Sequence, residues 1–458
     1  MYAILRAIAG IALRWYYRDI HVDGLERVPR RGPVLLVVNH PNALVDALVV
    51  GWILPQRVLI TAKSTIFANP IAAALLRFIG VVPLRRAKDE ARSDAAPSPT
   101  RNRETFEAVH AALARNGTVL IFPEGKTHDE PSLAPLKTGA ARMALHARSA
   151  GDVPGLAVVP IGLTFERKDL PRSRVFVQVG EPIRMEAWSA PQSGSPAEAL
   201  TAEIDARLRA VTLNYTTVDD ATRAVRLASL VASIFDDVPP LGQSTRPLGE
   251  ETAIARRIGH LAGRLPFVDG KTRAQADQLI ERLQAFQRSA AQYGIMIEDV
   301  GLEMRFARAV RFVVREGWLL LIGGPIAIWG RVNHWLPFRA ARAVAMRSVE
   351  SAADPAMREL VAGTGFVLLT YLAQSAVVTA IRGPLVGLAY LVSLPIAAEI
   401  DFRLSDRIRR AACRARAFLR FRRDPALHER MRNELASLRK NVVALDQSLG
   451  DVPVEVRA

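Results

Sequence analysis

Pro33-Val34-Leu35-Leu36-Val37-Val38-Asn39-His40-Pro41-Asn42-Ala43-Leu44-Val45-Asp46 joins an unbroken apolar run to a short polar turn. A run of valine and leucine this dense predicts a buried strand. Asn39 to Asn42 form the turn, and the apolar spacing from Leu44 to Leu54 predicts a helix. The turn holds a histidine and, six residues on, a carboxylate. That pair is the minimum for a general base: one ring nitrogen takes a proton while the carboxylate fixes the other. Residues six apart do not face each other on a regular helix, so contact requires a non-helical Pro41-Asn42. Without contact, His40 is a turn residue and Asp46 a charge at a helix start.

The same alternation continues on both sides. Short apolar runs at Val58–Ala62, Gly80–Leu84, Thr118–Phe122, Ala157–Phe165 and Arg174–Val179 predict further strands. Between them, Pro70–Ile79, Arg103–Arg115 and Thr138–Arg148 have helical spacing. Strands alternating with helices predict an α/β domain, a mixed sheet flanked by helices, with chemistry in the loops at strand ends. Ala87 to Asn102 is polar and read as a mobile loop, and Ser189 to Pro196 as a linker. Beyond it, Glu198 to about Gly294 has helical periodicity, with Lys271–Tyr293 expected as one long solvent-facing helix.

The chain has 458 residues, half of them hydrophobic, and a formal net charge of +16. Such charge calls for a polyanionic partner, nucleic acid or an anionic membrane surface. No zinc spacing, nucleic-acid module or aromatic-rich basic sheet motif is present, so membrane lipid is expected and nucleic acid is not. The single cysteine, Cys413, excludes an intramolecular disulfide. Residues 1–20 are apolar with Arg6 and Arg14 inside and no small-residue cleavage site following, so no signal peptide is expected. Two readings of this helix stand: an amphipathic helix on a membrane surface with Trp15, Tyr16 and Tyr17 at the interface, or a helix packed on the core.

Val361 to Ile381 carries no charge over 21 residues, enough to span a bilayer. Arg382-Gly383-Pro384 makes a turn, and Leu385 to Ala398 is apolar again. Gly317 to Gly330 is only 14 residues and contains Gly323-Gly324-Pro325, so it is expected not to cross. Nine arginines lie between Arg403 and Arg423, and Arg305, Arg308, Arg311 and Arg315 flank the upstream run. The positive-inside rule then places both flanks on the cytoplasmic side, with a hairpin of Val361–Ile381 and Leu385–Ile400 between them. A buried helical core is the alternative. The expected organisation is a surface helix (1–20), the α/β domain (21–190), a helical region (191–310), membrane segments (311–400) and a basic cytoplasmic helical tail (401–458).

Three further stretches bear on chemistry. Phe122-Pro123-Glu124-Gly125-Lys126-Thr127-His128-Asp129 turns at a strand end and displays Glu124, Lys126 and Thr127. A carboxylate beside a lysine and free amides suits a polyol phosphate, and a charged surface turn is the alternative. Gly80-Val81-Val82-Pro83-Leu84-Arg85-Arg86 delivers two arginines to a strand end, on opposite faces, one of them able to take a phosphate. Val158-Val159-Pro160-Ile161-Gly162 is apolar, either lining for an acyl chain or simply core.

In this order the four blocks between Asn39 and Ile161 resemble the glycerolipid acyltransferase superfamily, which acylates glycerol 3-phosphate and lysophospholipids. The resemblance covers about the first 190 residues. Five residues separate His40 from Asp46, where the commoner family form has four. The fungal-type glycerol-3-phosphate/dihydroxyacetone-phosphate branch also has five. Pro83 to Asp89, and Phe122 through His128-Asp129 to Leu136-Lys137-Thr138-Gly139, are similar to blocks of that branch. The resemblance implies an acyltransferase-type fold, with His40 and Asp46 catalytic and Arg86 the phosphate-binding arginine. Glu124, Gly125, Lys126 and Thr127 would bind the acceptor, with no metal or cofactor required. It implies a membrane-bound enzyme with its catalytic domain on the cytoplasmic face. Acyl-CoA or acyl-carrier protein is then the donor. Glycerol 3-phosphate, or alternatively lysophosphatidic acid or another lysophospholipid, is the acceptor.

Overall fold

The computed structural model describes residues 2–63, 81–84, 99–151, 153–168, 170–236, 238, 246–345 and 354–450. They form two compact units: Met1–Thr216 with Val349–Leu360, and Thr217–Ser348 with Val361–Ala458.

The first unit is a mixed sheet between two layers of helices. In chain order its elements are α1 (Tyr2–Tyr16), β1 (Asp19–Asp23), β2 (Val34–Val38), α2 (Ala43–Ile53), β3 (Val58–Lys63) and β4 (Val81–Leu84). Then come α3 (Pro99–Ala114), β5 (Thr118–Ile121), α4 (Gly139–Ser149), β6 (Ala157–Phe165), β7 (Arg174–Val179), β8 (Ile183–Arg184) and α5 (Pro196–Val211). The strand order is β1-β7-β6-β2-β5-β3-β4, with β8 beside β6. Strands from β6 through β2, β5 and β3 to β4 are parallel, and β7 is antiparallel to β6.

All five β2 residues are buried, and their alternation feeds two cores. Val34, Leu36 and Val38 pack with Leu13 and Tyr17 at the α1 end and with Val45, Val49 and Val50 of α2. Leu35 and Val37 face Val109 and Leu113 of α3, Ala140, Ala144 and Ala147 of α4, and Leu200, Ile204 and Leu208 of α5. Both faces of the strand are therefore dry, which is why the run Val34–Val38 carries no polar residue.

Several boundaries differ from the sequence expectations. Residues 99–102, expected in a polar loop, are the first turn of α3. The linker before Pro196 does not end the domain, because α5 lies in the core of the sheet and the unit runs to Thr216. Helix α1 is held by this unit: Tyr16 and Tyr17 are buried, and Arg6 donates to the Trp52 and Pro55 carbonyls. The expected helix Pro70–Ile79 lies outside the described residues.

Val158, Val159 and Ile161 of β6 are fully buried core residues. Gly162 beside them lets the end of α5 approach: a Cβ there would sit 2.0 Å from the Val211 carbonyl oxygen. Gly162→Ala is expected to lower stability by about 1–3 kcal/mol, the usual range for overpacking, read as a fall in melting temperature. An unchanged melting temperature would mean that β6 and α5 yield freely.

The second unit is helical: α6 (Val218–Phe235), α7 (Leu248–Ala262), α8 (Gly270–Gln292), α9 (Phe306–Ala345), α10 (Asp354–Arg382, from Val361 in this unit), α11 (Pro384–Arg423) and α12 (Pro425–Gly450). Leu230 and Ile234 of α6, Leu283 and Phe286 of α8, Phe421 of α11 and Leu435 and Leu438 of α12 share one core. Helix α8 covers the stretch expected as a long helix, and its inner face is buried there.

Helices α9 and α11 are antiparallel, with Glu316 on Arg407 at 2.6 Å and Arg331 on Asp401 at 2.7 Å. The arginine-rich starts of α9 and ends of α11 thus lie at one end of the pair. Helices α10 and α11 fold back at Gly383, which takes φ +90°. There Ser375 Oγ donates to the Gly387 carbonyl at 2.8 Å.

Three stretches, Phe306–Ala340, Gly363–Arg382 and Pro384–Arg423, are long and apolar enough to cross a membrane. Gly317–Gly330, expected to be too short, is therefore part of a longer continuous helix. Leu321, Leu369 and Leu385 are among the large side chains these helices expose. That outward pattern is what lipid, rather than water, accommodates.

Candidate active site

The site forms at the carboxyl ends of two neighbouring parallel strands. Val37 of β2 pairs with Ile121 of β5, so each chain leaves the sheet at the same level. Three residues on from that pair stand His40 and Glu124. Ligand and catalytic groups gather at such strand ends because the loops there are free to vary.

The turn after β2 is non-helical, as contact requires. Asn42 has φ −141° and ψ 46°, and Ala43 takes the left-handed φ of +47°. An alanine there is strained, and the surrounding bonds hold it. His40 Nδ1 meets Asp46 Oδ2 at 2.9 Å, and the Asn42 amide donates to the same oxygen at 2.8 Å. An ionised carboxylate only accepts, so the Nδ1 proton lies between the two groups. His40 Nε2 is left with its lone pair and has no hydrogen-bond partner among the described residues. The imidazole stacks on Phe122, with centroids 3.8 Å apart and planes 16° from parallel. Carboxylate below and phenyl ring beside hold the ring in one orientation.

Asp46 is fully buried at the start of α2. Burial pushes its pKa up; the His40 hydrogen bond and charge, the Asn42 amide and the charge of Lys168 pull it back. Its Oδ1 and the Oδ1 of Asn42 are buried without a hydrogen-bond partner among the described residues. Asn42 Nδ2 donates to the Tyr17 hydroxyl at 3.2 Å, so the turn rests on the end of α1. Asn39 clasps β6: Oδ1 accepts from the Leu163 amide at 2.7 Å and Nδ2 donates to its carbonyl at 3.1 Å.

Phe122-Pro123-Glu124-Gly125 closes as a turn, with the Gly125 amide donating to the Phe122 carbonyl at 3.1 Å. Gly125 takes φ +70°, and a Cβ there would meet the Lys137 side chain at 2.7 Å. Both facts ask for glycine. Glu124 turns inward and is 2% exposed. Its Oε1 accepts from the His40 amide at 2.8 Å, and its Oε2 accepts from the Ala134 amide at 2.8 Å and from His128 Nε2. A carboxylate committed to three protein donors ties the turn that carries His40 to the turn after β5. Lys126 points outward to Glu130 at 2.7 Å, and Thr127 is exposed. Of the expected site residues, the structure thus joins His40, Asp46, Glu124 and Gly125, and leaves Lys126 and Thr127 on the rim. Arg86, like Arg85, lies outside the described residues.

Residues 19–164 match the family model described as Acyltransferase. Over 82 residues, 18% of the chain, it is 49% identical to glycerol-3-phosphate O-acyltransferase 2 of Saccharomyces cerevisiae, covering 11% of that protein. Over 169 residues, 37% of the chain, it is 28% identical to the chloroplastic 1-acyl-sn-glycerol-3-phosphate acyltransferase of Arabidopsis thaliana, covering 42% of it. The crystal structure of the Thermotoga maritima 1-acyl-sn-glycerophosphate acyltransferase aligns with TM-score 0.34 and 20% identity, over 45% of this chain and 78% of that one. The chain thus spans about a tenth of the yeast relative and under half of the plant one.

Four residues around His40 and Glu124 were not legible as such: Asn39, Phe122, His128 and Lys168. Asn39 and Phe122 lie inside the quoted motifs but take their partners from another strand and another turn, whereas His128 meets Glu124 within its own motif. Lys168 stands in the loop after β6, with no motif around it.

Among the described residues no group of three or more histidine, cysteine or acidic side chains is arranged to hold a metal.

Proposed function

We propose that this chain is a membrane-bound O-acyltransferase that moves a fatty acyl group from an acyl thioester to glycerol 3-phosphate. The observation that carries this is His40, held at Nδ1 by buried Asp46 and open at Nε2, beside the Phe-Pro-Glu-Gly turn. Nε2 takes the proton of the acceptor hydroxyl as its oxygen attacks the thioester carbonyl carbon. The C–O bond forms and the C–S bond breaks. The thiolate of coenzyme A or acyl-carrier protein leaves and takes the proton back from Nε2. No acyl-enzyme forms, and the thioester is already activated, so the reaction as written uses no cofactor. Holding both substrates at one strand end supplies much of the rate.

The five-residue spacing between His40 and Asp46, together with the yeast likeness, supports glycerol 3-phosphate as acceptor. The names of the plant relatives support a second reading, acylation of lysophosphatidic acid. The exposed apolar helices support membrane residence. The arginines of α9 and α11, gathered at one end of that pair, support contact with anionic lipid on the cytoplasmic face.

The test is purified full-length protein given one labelled acyl thioester with glycerol 3-phosphate, dihydroxyacetone phosphate or lysophosphatidic acid. Ester formation on glycerol 3-phosphate is expected to be fastest. Transfer to lysophosphatidic acid alone would install the second reading, and transfer to none would end both. Arg86→Ala is expected to raise the KM for the phosphorylated acceptor about 10- to 100-fold, the worth of a charged hydrogen bond. A change confined to the acyl donor would place Arg86 elsewhere.

A further inference from the structure

The turn that carries His40 is gripped at two peptide groups, one on each side of the His40–Pro41 bond. Glu124 takes the His40 amide, and Asp46 takes the Asn42 amide. In the same peptide as the Asn42 amide, the Pro41 carbonyl accepts from Lys168 Nζ at 3.4 Å. The same ammonium is paired with Asp129. Asp129 follows His128, whose Nε2 donates to Glu124 and whose Nδ1 accepts from the Glu130 amide at 3.2 Å. Because Nδ1 accepts, the His128 proton sits on Nε2, facing the Glu124 carboxylate.

Adjacent residues of one turn therefore reach, by two routes, the peptide before His40 and the peptide after Pro41. His128 acts through Glu124, and Asp129 acts through Lys168. The first route is nearly dry, whereas the Lys168 and Asp129 side chains are 25% and 51% exposed. An ion pair that exposed adds about 0–1 kcal/mol of stability, so its place is hard to explain as stabilisation alone. Its geometry has a clearer use: it spans three loops, after β2, β5 and β6, and meets the catalytic turn next to the base.

We propose that Lys168, with Asp129, is a positioning residue for His40, a second brace that works opposite Glu124 and sets the angle at which Nε2 meets the acceptor hydroxyl. This rests on the acyl-transfer reading above. The charge of Lys168 also reaches Asp46, where it favours the ionised carboxylate that orients the ring.

The experiment compares wild type with Lys168→Met, Lys168→Arg, Asp129→Asn and the Lys168→Met/Asp129→Asn double variant. Lys168→Met is expected to lower kcat about 10- to 100-fold, the scale of a misplaced catalytic group, with KM for both substrates unchanged within about twofold. Lys168→Arg should recover most of that loss. Asp129→Asn should cost less than Lys168→Met and add little on top of it. In parallel, hydrogen exchange across residues 39–46 is expected to quicken in Lys168→Met while the melting temperature holds.

A rise in acceptor KM at unchanged kcat would make Lys168 a phosphate ligand and overturn the proposal. So would unchanged kinetics and exchange. Should the wild type transfer no acyl group, the enzymatic reading falls, and the exchange measurement still decides whether Lys168 holds the turn.

Discussion

His40→Ala is expected to lower acyl transfer by about 10²–10⁴-fold, the usual contribution of a general base, with the protein still folded and membrane-associated. The variant also makes a prediction about stability. Burial raises the pKa of Asp46 above that of an ordinary carboxyl, and His40 is the chief opposing influence. A carboxyl raised in the folded state favours folding below its unfolded pKa, and that support fades as pH climbs through the folded value. Without the imidazole the folded value rises further, and a buried carboxylate loses its partner. His40→Ala should therefore melt close to wild type near pH 4–5 and clearly below it at pH 8, a widening gap of about 1–3 kcal/mol. Measured activity within tenfold of wild type would remove His40 as the base. A pH-independent melting difference would mean that the two side chains are not coupled.

Glu124→Gln is expected to be almost as damaging as Glu124→Ala. Both carboxylate oxygens face protein donors: the His40 amide on one side, and the Ala134 amide and His128 on the other. An amide offers one acceptor and one donor, so either orientation sets N–H against N–H. A buried clash of that kind costs about 1–3 kcal/mol, and it falls on the peptide that carries the base. The expected result is a kcat loss of about 10²-fold or more with acceptor KM little changed. A variant that mainly raises acceptor KM would return Glu124 to the role of substrate ligand. Comparing Gln with Ala separates hydrogen-bond polarity from bulk, since Gln keeps the volume and loses only the second acceptor.

The β2 stretch shows how much is legible in one dimension. Its uninterrupted valine and leucine announced a buried strand, and the structure packs α1 and α2 on one face and α3, α4 and α5 on the other. The spacing of His40 and Asp46 required a non-helical turn, and the backbone at Asn42 and Ala43 supplies it. Glu124 shows the opposite. Its motif placed it at a strand end, but a carboxylate there has two fates, facing the solvent or turning inward. The choice depends on which amides lie within 3 Å, and those belong to His40 and Ala134, 84 and 10 residues away. Lys168 carried no signal, because its partners Pro41 and Asp129 are 127 and 39 residues distant.

Local chemistry, then, was already written in the order of residues. Apolar period marks the strands and the long apolar helices, glycine marks Gly125 and its left-handed turn, and the histidine–aspartate spacing marks the pair that meets after β2. These follow from interactions within a few positions along the backbone. Folding was needed to say that Glu124 turns inward onto the His40 and Ala134 amides, that Lys126 faces Glu130, and that α5 and the aromatics of α1 serve the sheet. Each of those depends on which distant groups share a desolvated space, and hydrogen bonds there are satisfied by proximity in three dimensions rather than along the chain.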